Sequence, residues 1–122
     1  MEGWDSAAKT AALANVLTDA RTTPQLVTTR GITRLTPERV MEIARAGKTV
    51  RLVSRGRRAG ARLSLRVRAE VLERNDLLAC TPGTSNLILF HTDLMGTFGT
   101  VSLDPGVEQT AYGVFADLVS LR

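Results

Sequence analysis

Apolar and polar positions alternate along this chain with two different periods, and the switch between them marks out the elements. Residues 5–20 hold Ala7, Ala8, Ala11, Ala12, Ala14, Val16 and Leu17 at spacings that suit a helix rich in strong helix formers, with Gly3 or Asp5 near its cap. The stretch from Arg21 to Arg34 carries Thr-Thr-Pro and an isolated Gly31, and reads as a wrapping linker. A second helix over residues 36–46 is punctuated at both ends. Thr36 is a good N-cap, Pro37 suits the first helical position, and Gly47 is placed for a left-handed C-terminal cap; Val40, Met41, Ile43 and Ala44 form its apolar stripe.

The period then drops to two. Thr49 to Ser54 alternates, and Ala61, Leu63, Leu65 and Val67 face one way while Arg62, Ser64, Arg66 and Arg68 face the other; Arg55 to Gly60 is expected to be the turn between these strands. After a loop from Asn75 to Gly83, the apolar run Leu87-Ile88-Leu89-Phe90 within residues 86–91 predicts a central strand. A turn over Asp93–Gly96 leads to a fourth strand at 97–103, interrupted by Gly99, and residues 108–121 return to helical spacing with Ala111, Val114, Phe115, Leu118 and Val119 on one stripe. The expected fold class is α+β: a mixed or antiparallel sheet of about four strands within residues 49–103, with helices packed on one face.

Composition narrows the function classes. A chain of 122 residues is enough for one domain with a real core, and a lone Cys80 cannot form an internal disulfide, which suits a reducing, cytoplasmic compartment. No run of apolar residues is long enough to span a membrane, and no Cys/His cluster has metal-ligand spacing. The net charge of +4 is unevenly spread: Arg51, Arg55, Arg57, Arg58, Arg62, Arg66 and Arg68 fall within 18 residues. Aromatic residues make up only 4% of the chain, so stacking platforms for single strands are scarce. A solvated strand face or a subunit contact is the expected use of these arginines, and a nucleic-acid partner is not expected. His91 is read as structural and Trp4 as a packing anchor.

One pair of residues has the geometry of a catalytic site. Asp5 and Lys9 are four apart in the first helix, so carboxylate and ammonium lie on one face and can address one small molecule. The same spacing also describes an ordinary helix-stabilising ion pair worth about 0.3–0.5 kcal/mol.

The ordered set Glu2-Gly3-Trp4-Asp5, Lys9, Gly31-Ile32, Leu35-Thr36, Arg51-Leu52-Val53, Gly83-Thr84-Ser85-Asn86, Thr110-Ala111 and Ala116-Asp117-Leu118 resembles the C-terminal catalytic part of homoserine dehydrogenase, over essentially the whole chain. The resemblance implies NAD(P)-dependent interconversion of aspartate semialdehyde and homoserine, on the route to threonine and methionine, by a homodimeric enzyme with a small-molecule substrate. It places Lys9 where the family has its catalytic lysine and Asp5 where it has the acid that orients substrate, with Glu2 a second substrate-binding carboxylate.

The family's cofactor domain is of Rossmann type, and this chain contains no G-x-G-x-x-G, so NAD(P) is expected to be held mainly by a domain outside it and the isolated chain to be inactive. Gly106 and Thr110, in a loop that departs from the family pattern at Ser102, Asp104 and Pro105, are the cofactor-binding candidates. Two alternatives stand beside this reading: a degenerate dimerisation or binding module, and a basic nucleic-acid-binding domain.

Overall fold

The computed structural model describes residues 3–30 and 35–121, which form two compact units divided between Ala79 and Cys80. In the first, helix α1 (Trp4–Thr18) is followed by a 3-10 turn (Pro24–Leu26), strand β1 (Thr28–Arg30), helix α2 (Pro37–Arg45) and the paired strands β2 (Lys48–Ala59) and β3 (Arg62–Glu73). The sheet order is β1-β3-β2, with β1 parallel and β2 antiparallel to β3. The second unit holds strands β4 (Asn86–Thr92) and β5 (Gly96–Ser102), a two-stranded antiparallel sheet, and helix α3 (Val107–Ser120). The α+β class with mixed pairing is as expected.

Three details differ from the sequence pattern. Arg55–Ala59 is strand, not turn: β2 and β3 run in unbroken register from Lys48↔Glu73 to Ala59↔Arg62. Only Gly60 and Ala61 connect them, with Gly60 at φ +59, the position that a two-residue turn of type II′ reserves for glycine. Second, the linker contains β1, a three-residue strand that pairs through Thr28↔Arg66 and Arg30↔Arg68. Third, β4 is not central; among the described residues it pairs with β5 alone. Gly99 lies within β5, where a Cβ would come 2.5 Å from the Ile88 carbonyl oxygen, so the close approach of the two strands requires glycine.

The core of the first unit explains the alanines. Ala7, Ala11 and Ala14 repeat along one face of α1 and are buried with Val27, Leu65 and Val67; Ala7 is fully buried and Val67 is 1% exposed. Methyl-sized side chains let the helix backbone sit close to β3, at little cost in rotamer entropy. The helix stops at Thr18 because Asp19 turns left-handed at φ 51, and two side chains hold this end. Arg58 Nη1 donates to the Thr18 carbonyl at 3.2 Å. Asn15 clamps Thr22, donating from Nδ2 to its carbonyl and accepting its N–H at Oδ1.

Helix α2 forms with its predicted caps: Thr36 Oγ1 accepts the Arg39 N–H at 3.3 Å and Gly47 is left-handed at φ 75. Ile43 is buried on it, while Val40 and Met41 remain exposed. Trp4 is 58% exposed and anchors no core. In the second unit Phe90 and Phe98 stack directly across the hairpin at 5.2 Å, and His91 Nδ1 shares a 2.8 Å hydrogen bond with Oγ1 of Thr97, its opposite neighbour. No residue of α3 is buried; Val114, Phe115, Leu118 and Val119 are all exposed.

Candidate active site

The candidate site is built on the first two turns of α1. Gly3 caps the helix in the left-handed conformation at φ 76, and the Ala7 N–H donates to its carbonyl at 2.9 Å, so the chain can turn sharply into the helix over Val67. Ala7, inward between Asp5 and Lys9, seats this end against the sheet. Thr10 is buried beside it and returns its hydroxyl to the Ser6 carbonyl at 2.6 Å. Asp5 and Lys9 therefore project from a turn whose opposite face is locked in place.

Asp5 Oδ2 and Lys9 Nζ are 2.8 Å apart, with side chains 79% and 72% exposed. At that exposure the pair contributes close to nothing to folding, about 0–0.5 kcal/mol, because water screens it and two long side chains lose rotamer freedom. Both groups stay open to a ligand. Glu2, the second carboxylate of the expected set, lies outside the described residues.

The loop before α3 was the candidate cofactor contact. Gly106 is the N-cap residue of α3, extended at φ −88, and provides no side-chain cap; a Cβ placed there would meet the Glu108 carboxylate at 2.5 Å. Asp104 is left-handed at φ 44, accepts Thr84 Oγ1 at 3.0 Å, and donates its backbone N–H to Ser85 Oγ at 3.0 Å. Thr110 lies in the first turns of α3. Two carboxylates thus flank this helix N-terminus, where a dinucleotide would present phosphates. The residues of this loop do not fit a pyrophosphate, and no chemistry is assigned to the cofactor there.

A constellation that spacing alone did not reveal lies on the sheet. Glu70, 9% exposed at its side chain, accepts Arg55 Nε at 2.9 Å and Nη2 at 2.6 Å in a bidentate pair, and Arg68 Nε at 2.9 Å. The Arg55 hydrogen bonds, reinforced by Arg68 and opposed by burial, lower the Glu70 pKa from 4.5 to about 2. The sequence signal was present as the sole acid among these arginines, but the strand register is needed to see it. Elsewhere in this unit a shallow hollow of about 290 Å³ is lined by Ala44, Lys48, Thr49, Arg74 and Ala79, and neither Asp5 nor Lys9 borders it. Among the described residues no cluster of His, Cys, Asp and Glu could hold a metal, and no helix is long and apolar enough to cross a membrane.

The α+β scaffold has relatives in both sequence and structure. The homoserine dehydrogenase family model matches residues 1–119, and the chain belongs to that family. It is 31% identical over 124 residues to homoserine dehydrogenase of Mycobacterium tuberculosis, covering 98% of this chain and 28% of that protein. Against homoserine dehydrogenase of Methanocaldococcus jannaschii the identity is 29% over 121 residues, covering 99% of this chain and 34% of the other. An NAD(+)-dependent homoserine dehydrogenase of Pseudomonas canavaninivorans is 26% identical over 123 residues, which are 35% of its length. Among solved structures, homoserine dehydrogenase from Thiobacillus denitrificans superposes with a TM-score of 0.83 at 31% identity, covering 97% of this chain and 27% of that one. This chain therefore spans about a third of the length of the curated relatives it matches.

Proposed function

We propose that this chain is the substrate-binding and catalytic domain, residues 1–122, of an NAD(P)-dependent oxidoreductase that interconverts aspartate semialdehyde and homoserine. The observation that carries the reading is the Asp5–Lys9 pair: 2.8 Å apart, exposed, and mounted on a helix turn held rigidly from behind. Hydride arriving at an aldehyde carbon leaves negative charge on oxygen. The Lys9 ammonium stabilises that charge or delivers the proton, while Asp5, aided by Glu2, holds the substrate's amino group. A nicotinamide cofactor supplies the hydride, and the loop carboxylates Asp104 and Glu108 support a phosphate seat elsewhere than this chain. Gly106 and Thr110 are then left with at most the nicotinamide end. The compartment proposed is the cytoplasm.

The same reading makes the protein a homodimer. Its support is the exposed apolar surface of the second unit, where Val101, Leu103, Phe115 and Leu118 are 56–64% exposed, and the long outer edge of β2. A sedimentation or light-scattering mass of one chain at tens of micromolar would contradict it.

The test of the catalytic role is Lys9→Ala in the chain joined to a dinucleotide-binding domain of a relative. Turnover of aspartate semialdehyde should fall by ~10²–10⁴-fold with cofactor binding intact, the usual scale for a lost acid/base or oxyanion group. Asp5→Ala should act mainly on KM. Near-unchanged turnover in Lys9→Ala would return the pair to a plain helix ion pair.

A further inference from the structure

The arginines of the hairpin are not scattered over it. Strand alternation and register place Arg51, Arg55 and Arg57 of β2, Arg62, Arg66 and Arg68 of β3, and Arg30 of β1 on one face of the sheet, opposite the face that α1 covers through Leu65 and Val67; Arg51 is engaged there with the Ala79 carbonyl at 3.1 Å. Thr28, Arg66 and Arg55 form one row across the strands, and Arg30, Arg68 and Val53 the next. Glu70 is the one acid in this set and binds Arg55 and Arg68. Arg30, Arg57, Arg62 and Arg66 are exposed and have no acid partner among the described residues. Seven arginines against one glutamate make this single face more positive than the chain's whole net charge of +4.

We propose that this face is a docking surface for the phosphate backbone of a nucleic-acid duplex, bound without regard to sequence. The arginines span roughly 20 Å along the strands and 10 Å across them, at strand repeats of about 3.3 Å and strand spacings of about 4.8 Å. So broad an array needs a dense array of anions. A duplex presents phosphates from two strands, one per ~3.4 Å of axis on each, and so meets an array spread over three strands, whereas an extended acidic peptide offers a single row of carboxylates ~6.6 Å apart. A second copy meeting this face with the same face would set arginine against arginine and be repelled. Single strands lack their usual platform, because no aromatic residue lies in β1, β2 or β3. The Arg55–Glu70–Arg68 trio contributes rigidity: Glu70 fixes two guanidinium planes and leaves the four unpaired arginines around them for phosphates.

The 122-residue chain is titrated into a fluorescently labelled 20-base-pair DNA duplex of arbitrary sequence, following anisotropy between 50 and 200 mM salt. Four phosphate contacts predict a slope of log K against log salt of about −3.6, a loss of roughly a hundredfold over that range. The triple variant Arg57→Gln, Arg62→Gln, Arg66→Gln should reduce the slope to about −1, and Arg66→Gln alone should lower it by about 0.9, with unchanged far-UV circular dichroism. Arg58→Gln, on the other face and bonded to Thr18 and Gly60, should leave it unaltered. The proposal is overturned by no binding at 50 mM salt, by an unchanged slope in the triple variant, or by a single strand or poly-glutamate of equal charge binding as tightly as the duplex.

Discussion

Replacing Glu70 by Gln removes one charge and keeps the shape, which makes it a direct measurement of what the arginine pairing contributes to folding. The Glu70 pKa is lowered from 4.5 to about 2, chiefly by the Arg55 hydrogen bonds. At 1.36 kcal/mol per unit the shift corresponds to at most about 3.4 kcal/mol. Arg55 and Arg68 are 40% and 48% exposed at their side chains, so solvent screens their half of the interaction and about 2 kcal/mol is the working figure.

Because the folded-state pKa is depressed, the stabilisation is fully present above the unfolded value near 4.5 and is lost as pH falls from there towards 2. Urea unfolding of the native chain and of Glu70→Gln at pH 7 should therefore differ by about 2 kcal/mol. The gap should shrink to about 0.4 kcal/mol at pH 2, where Glu70 is half protonated in the folded chain, and close below it. An equal gap at pH 7 and pH 2, or one below about 0.5 kcal/mol at pH 7, would show that the trio is a surface decoration of the kind that contributes nothing measurable.

The α1–sheet seat is equally testable. Ala11→Leu, at a site 3% exposed, should cost about 1–3 kcal/mol by overpacking against β3, read by thermal unfolding. Gly60→Val should cost at least about 1 kcal/mol, since a β-branched residue is strained at φ +59 and the turn has two residues to work with. Thr36→Ala removes the hydroxyl that accepts the Arg39 N–H and should lower stability by about 1 kcal/mol. Lys9→Ala should change the unfolding midpoint hardly at all, given the exposure of its ion pair.

How far each of these features could be read along the chain depends on how local its cause is. Helix α2 was legible at both ends because Thr36, Pro37 and Gly47 act on their own backbone within a turn. Strand β1 was not, because three residues from Thr28 to Arg30 have no period to show and become a strand only by lying beside Arg66–Arg68. The segment Arg55–Ala59 reads as a turn in sequence because its face carries no apolar alternation. That face is solvated, and the strand is held by its ladder to β3, so the pattern had no reason to show.

The two acid–base constellations divide the same way. Asp5 and Lys9 meet because a helix repeats, so their spacing reveals them, and their exposure leaves them worth little to folding and available to a substrate. Glu70 meets Arg55 across fifteen residues of hairpin, and only the two-residue length of the Gly60-Ala61 turn decides that they share a face. Lengthen that turn by one residue and Arg55 would stand opposite Val67 and point to the α1 side, leaving Glu70 without its bidentate partner. The register that packs Leu65 and Val67 under α1 is therefore also what pairs Glu70 with Arg55 and gathers the free arginines on the opposite face.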